Sequence, residues 1–565
     1  MFQQDLQPVG DSLALSALCG ALPLLAIFVL LGGLRMKAWL AGLLSLAVAL
    51  VVAVAFFEMP VGQALLAATE GAAFGFFPIL WIVINAIWVY NLTVASGHFD
   101  VLRRSFEKVS PDLRVQAIIV AFCFGALLEA LAGFGTPVAI TVVMLLALGF
   151  EPFKAATVAL VANTAPVAFG ALATPIVTLG TVTSGVGDDP GLTTDTLGAM
   201  VGRQTPLLAI VVPLILVLIV DGRRGARNAW LPALTCGLAF AVMQFVAANY
   251  ISVQLTDIIA SLVSAGAVVL LVRVWRPAEV LTAEPSLLRE RVTVGGGGTA
   301  SGPVSDDPDD LSHPDHVDTR ADVARAYAPY LVIIVIFSIT AIPAVVDFLA
   351  KEPWTYLFDW PGLDVLNEAG DPVATQFKFN WLPAAGTLLV IAGLITMVIL
   401  KVSPARALKT YGETLVELRS AIITVMAVLG LAFVMNLSGQ TTSLGAWLAG
   451  TGGAFALLSP ILGWIGVAVT GSDTSSNSLF GALQVQAATK AGLDPVLMAA
   501  SNSSGGVLGK MVSPQNLAIA AAAVGMSGNE GEIFRKVIGW SLVLLLLMCV
   551  IVGLQATPVL SWMVP

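Results

Sequence analysis

Apolar runs long enough to cross a bilayer recur along almost the whole chain. The clearest lie at about 12–34, 38–57, 75–96, 205–220, 229–247, 256–274, 328–347, 381–400, 420–437 and 536–556. A hydrocarbon core takes roughly 20 apolar residues per helix, so each run is a predicted transmembrane helix. Two further regions, about 115–182 and 445–526, are also apolar but are interrupted by Gly, Pro, Ser, Thr and Asn. That pattern predicts broken helices or re-entrant hairpins, and so an all-α polytopic membrane protein of roughly 12–16 membrane segments. A polar stretch at about 276–326, with Gly295 to Gly298 and acids around Asp306 to Asp318, is predicted to be a flexible linker. It separates an N-terminal transmembrane half, 1–275, from a C-terminal half, 327–565.

Composition agrees. Of 565 residues, 57% are hydrophobic and 11% charged, where a soluble domain carries about 25% charge. With a mean hydropathy of +0.91, this excludes a soluble enzyme, a nucleic-acid binder and a disordered chain. The net charge of −9 argues further against nucleic acid or anionic lipid as a partner. Cys19, Cys123, Cys236 and Cys549 are scattered singly in apolar runs and predict buried, inert thiols without disulfides. His98, His313 and His316 cannot build a metal centre in the bundle, and no cofactor is implied. The first ten residues lack Lys and Arg, so the first apolar run is expected to stay as a transmembrane helix.

Basic residues orient the spans. Arg35 and Lys37, Arg103 to Arg114, Arg223 to Arg227, Lys401 to Lys409, and Arg535 with Lys536 can all face the cytoplasm if both termini lie outside. The loops then left outside, 184–202 and 350–380, are acidic or nearly free of basic residues, and the linker falls inside.

The two interrupted regions resemble each other. The first reads LLEALAGFGTPVAI, then GFEP, then ANTAPVAFGALATP; the second reads TGSDTSSNSLFG, then GLDP, then SNSSGGVLGKMVSP. In order, Glu129 matches Asp473, Glu151-Pro152 matches Asp494-Pro495, Asn163-Thr164 matches Asn502-Ser503, and Thr174-Pro175 matches Ser513-Pro514. Under the basic-residue topology GFEP lies inside and GLDP outside, so the repeats are inverted. Secondary transporters use inverted repeats with broken helices to build a central site.

The breaks carry suitable chemistry. Gly133 and Gly135 let the chain leave helical geometry, Thr136 can cap, and Pro137 suits the start of a new helix. Such an N-terminus attracts carboxylate or phosphate. Thr474, Ser475, Ser476 and Asn477 offer the same at the second break, and Asn163, Thr164, Asn502 and Ser503 add amides and hydroxyls at matching depth. Helix packing through small residues is the competing explanation for each cluster. A charge at the bilayer centre costs about 2.5–3.5 kcal/mol, which singles out Glu129, Asp473 and Lys510. Glu129 and Asp473 are candidates for carrying a coupling proton; Lys510 is expected to meet the substrate carboxylate or to form a purely structural pair with Asp473.

EALAGFGTPVAI, NTAPVAFGA, MVGRQ, TGSDTSSNSLFGALQ, GKMVSPQ and AIAAAAVG closely resemble the bacterial lactate permease family from about residue 12 to the C-terminus. One departure is Leu131, where the family's run usually carries Ala. The resemblance implies proton-coupled uptake of L-lactate, D-lactate and glycolate across the bacterial cytoplasmic membrane. The expectation is a symporter of small 2-hydroxy monocarboxylates, with substrate between the helix starts at Thr136 and Ser475. A Na⁺-coupled carboxylate carrier, with the Asn-Thr and Asn-Ser pairs as ion ligands, is the alternative. No HExxH, GxSxG or paired membrane histidines suggest an enzyme.

Overall fold

The computed structural model describes residues 2–565 apart from 134, 187–188, 278, 283–316, 341, 374 and 527–528. Most of the expected linker, with its glycine run and with His313 and His316, lies outside the described residues. Among those described, ten helices are long and apolar enough to cross a membrane, or eleven if the bent pair Pro152–Ala162 and Val167–Thr183 counts as one span. The helix Thr194–Tyr250 has 57 residues and would run about 85 Å if straight, nearly three bilayer cores. It instead leaves helical geometry at Asp221, Gly222 and Ala229 and doubles back. The backbone of Gly237 sits against Ile210, and Gly202 against Ala248, where a Cβ would come 2.6 and 2.5 Å from its nearest neighbour. The runs predicted at 205–220 and 229–247 are therefore the two arms of one hairpin.

The third span starts earlier than the apolar pattern indicated. Its helices run through Val61–Ala95 with a break at Phe77, and the first turns include Gln63, Thr69 and Glu70. These polar residues dilute the hydropathy that marked the span, yet Glu70 is buried. Small polar-side elements also appear: an antiparallel pair Tyr356–Asp359 with Gln376–Phe379, and a parallel pair Phe2–Gln3 with Val365–Leu366.

Burial separates the helices by solvent. From Arg114 to Ala132 every residue is buried, whereas about a third of the apolar windows of the helices Leu13–Gly33 and Ala38–Ala55 is buried. The latter present Leu18, Val29 and Val51 outward, as lipid permits and water would not. Close helix contact rests on glycine. The backbones of Gly463 and Gly505 leave no room for a Cβ against the carbonyls of Asn502 and Pro460, so the helices Phe455–Thr470 and Pro495–Gly509 pack backbone to backbone.

Loop contacts fall into two sets, one at each end of the bundle. In one, Arg104 and Lys108 pair with Asp318, Arg114 pairs with Asp112 and Asp221, and Leu113 bonds to Leu281. In the other, Phe2 bonds to Asp364, Lys490 pairs with Glu368, and Arg203 reaches Asn249 and the Met563 carbonyl. The first set joins the segments that the basic residues assigned to the cytoplasm. The second joins both termini, the 350–380 loop and the vicinity of the GLDP turn, which were assigned outside. In the first set, burial of Asp318 works against its charge, but hydrogen bonds and attraction from Arg104 and Lys108 win, and its pKa lies below the usual carboxylate range.

Candidate functional site

The first broken element begins with a helical run ending at Ala132. The chain leaves the helix at Gly133, turns through left-handed Gly135 (φ 90°), and restarts at Thr136 with Pro137 in its first turn. Only glycine takes that φ without strain. After the GFEP turn, the helix Pro152–Ala162 ends near Asn163, and the chain bends by 63° before Val167–Thr183. Ala171, Leu172 and Ala173 are all left-handed, with φ of 43°, 51° and 59°. Non-glycine residues held this way cost roughly 1–2 kcal/mol each, so the surrounding packing must enforce the turn. Nothing in the sequence marks it, since alanine and leucine are ordinary helix formers.

The second element breaks more simply. The helix Phe455–Thr470 ends at left-handed Gly471 (φ 76°), Ser472 caps the next helix through the Ser475 amide, and Asp473 is its first residue. A carboxylate there benefits from the helix dipole. The break at the other end is a short 3-10 turn, Lys510–Val512, before the Pro514–Ala523 helix. The repeats are thus related but not superposable in detail. Glu129 lies in the last turn before its break, and Asp473 in the first turn after its own.

The two breaks meet. Lys510 Nζ donates to Glu129 Oε1 at 2.6 Å, and Asn163 Nδ2 donates to Oε2 at 2.8 Å. The lysine and glutamate side chains are 7% and 3% exposed, so this is an ion pair inside the membrane bundle, across 381 residues of sequence. Asp473 Oδ2 accepts from Ser503 Oγ at 2.5 Å and, more weakly, from Asn477 Nδ2 at 3.5 Å. Asn477 Nδ2 also donates to the Pro175 carbonyl at 3.0 Å, which ties the second break to the first. The other aspartate oxygen, Oδ1, is buried with no partner among the described residues.

A small cavity of about 40 Å³ lies between the breaks. Glu129, Gly133, Thr174, Asp473, Thr474 and Lys510 line it, with Ala171, Gly471, Ser472 and Gln515 among the rest. Glycine makes room at both carboxylates. A Cβ on Gly170 would come 2.7 Å from Glu129 Oε1, and one on Gly506 would come 2.4 Å from Asp473 Oδ1.

Of the residues singled out in the sequence, Glu129, Gly133, Asp473, Thr474 and Lys510 converge on the cavity, and Asn163, Asn477 and Ser503 hold its carboxylates from behind. The others have different work. Gly135 packs against Ile519, and the Thr136 amide bonds to the Gly133 carbonyl. Thr164 Oγ1 donates to the Val161 carbonyl and Ser476 Oγ to the Gly463 carbonyl. The Ser475 amide is taken up by the Ser472 cap. Asn502 bonds to Asn477 and Gln484. The cavity lies at Gly133 and Gly471–Thr474, just before the two helix starts at Thr136 and Asp473. Lys510 pairs with Glu129 rather than Asp473, so the expected structural pair is not the one formed. Thr174, Gly471 and Ser472 belong to the motifs read along the chain but were not expected to line the site, and Gln515, beside Pro514, carried no such expectation either.

Elsewhere, all four cysteines are free, but Cys123 and Cys236 are neighbours, with Sγ atoms 3.4 Å apart. His98 is buried beside Ser96, where burial lowers its basicity. Trp88 and Tyr90 are core residues.

A family model described as L-lactate permease matches residues 16–559. The chain is 40% identical to an L-lactate permease of Salmonella typhimurium, over all of both chains. It is 39% identical to an L-lactate permease of Bacillus subtilis, covering 100% of this chain and 99% of that one. It is also 41% identical to the glycolate permease GlcA of Escherichia coli, over 98% of each.

Proposed function

Because the chain belongs to the L-lactate permease family, we propose that it imports lactate, glycolate and related small 2-hydroxy monocarboxylates together with a proton. Family membership and the apolar helices make it a multi-pass permease of the bacterial cytoplasmic membrane, a transporter and not an enzyme.

The observation that carries the coupled reading is the buried pair of Lys510 with Glu129 at the cavity wall. An ammonium has three donors, and one of them is recorded on Glu129. A substrate carboxylate entering the cavity takes another. One ammonium then faces two carboxylates in a low-dielectric site, and like charges sharing such a site drive one of them to take up a proton. Glu129 is the carboxylate in contact with Lys510, so it takes the proton as substrate arrives and releases it as substrate leaves. Asp473 also lines the cavity, with Ser503 and Asn477 fixing its orientation.

The test is uptake of labelled lactate into proteoliposomes with an imposed pH gradient. Accumulation that collapses with a protonophore, is unchanged when K⁺ replaces Na⁺, and is competed by glycolate supports the proposal. Accumulation that follows a Na⁺ gradient and ignores the protonophore overturns it. Glu129→Gln is expected to bind lactate but to lose accumulation; a Glu129→Gln protein that still couples lactate to the pH gradient removes Glu129 from this role.

A further inference from the structure

A third acid lies inside the bundle and has no part in the cycle above. Asp257, at the start of the Thr256–Val274 helix, is 1% exposed, and its Oδ2 has no partner among the described residues. Its Oδ1 accepts from Gln244 Nε2 at 3.1 Å, and the same nitrogen lies 3.3 Å from the Ala165 carbonyl. Ala165 sits in the first break, two residues beyond the Asn163 that holds Glu129. Thr205 Oγ1 closes on Gln244 Oε1 at 3.3 Å. The helix of Asp257 begins beside the Arg203–Asn249 contact, at the end of the bundle that holds both termini.

A buried carboxyl without a cation is costly to ionise in such surroundings. We propose that Asp257 is a second protonatable carboxyl of the transport cycle, which supplies from the outer side the proton that Glu129 takes when substrate arrives. The step balances: the Asp257 O–H bond breaks, an O–H bond forms on Glu129, and Asp257 regains a proton from the external solution. Gln244 holds Asp257 in register with the first break, as a positioning residue rather than a proton carrier. This inference rests on the proton-coupled reading of the cavity, but it names a residue outside the cavity lining.

Net uptake and exchange separate the two ideas. Net accumulation requires Glu129 to load and unload its proton in each cycle, whereas lactate–lactate exchange runs on the loaded carrier alone. In proteoliposomes, Asp257→Asn is expected to slow pH-driven net uptake by about 100-fold, while exchange stays within about twofold of the parent. Net uptake equal to the parent's, with the parent sensitive to protonophore, overturns the inference and leaves the cavity reading intact. Loss of exchange together with net uptake also overturns it, since that is a structural effect. A parent indifferent to protonophore defeats the underlying reading instead. If Asp257→Asn does not fold, Gln244→Met severs the link and spares both acids. It is expected to slow net uptake while exchange persists, and unchanged net uptake again counts against the inference.

Discussion

Glu129 and Asp473 occupy matching breaks, yet their surroundings differ in kind. Glu129 has a cation: Lys510 meets one oxygen and Asn163 the other. Asp473 has the first turn of a helix, one hydroxyl at 2.5 Å, one distant amide and a buried oxygen with no partner among the described residues. The first site is an ion pair whose charge balance changes when another anion arrives; the second is a carboxyl held by neutral donors. Two related breaks can therefore each supply a buried carboxyl while a single lysine, Lys510 in the second, divides the chemistry between the halves.

That contrast breaks most sharply at Lys510. Lys510→Met is expected to abolish uptake and to destabilise the protein by about 3–5 kcal/mol, because it leaves Glu129 charged and alone in the bundle. Thermal unfolding in detergent reads this, and adding Glu129→Gln should recover most of the stability but none of the transport. Next come the glycines under each acid. Gly170→Ala and Gly506→Ala force a Cβ to within 2.7 and 2.4 Å of a carboxylate oxygen. Each should cost about 1–3 kcal/mol and reduce uptake; if Gly506→Ala transports normally, the orientation of Asp473 is irrelevant to substrate. Ser503→Ala removes the short hydrogen bond to Asp473 and should cost about 1–3 kcal/mol, the range for a buried group left without its partner. Asn163→Ala is expected to do least, about 0.5–1.5 kcal/mol, because Lys510 still satisfies Glu129. A stability ranking with Asn163→Ala above Ser503→Ala would erase the distinction between the two sites.

Much of this was legible along the chain. Hydropathy located the spans, and glycine with proline marked the breaks at Gly133–Pro137 and Gly471–Ser472. The cost of charge in lipid reduced the ionisable candidates to Glu129, Asp473 and Lys510, and all three line one cavity. Where the reading slipped, a local signal was masked. Glu70 and its polar neighbours hid the first turns of the third span. Asp257 falls at the very start of the run at 256–274 and was not singled out, because a charged residue at a span end is ordinarily solvated. The left-handed turn at Ala171–Ala173 left no trace, since its residues favour the conformation they do not adopt.

What the sequence determined by itself is the solvent and the punctuation: lipid outside, helices across it, and two matched places where those helices stop. These follow from transfer energies and backbone preferences, which act residue by residue. Only the tertiary structure decided which partner each buried charge received. Lys510 could have neutralised either acid, and its pairing with Glu129 depends on two breaks 381 residues apart being pressed together. Ion pairing is a property of distance in space, and inside a membrane, where an unpaired charge is most costly, that distance is set by how the whole bundle packs.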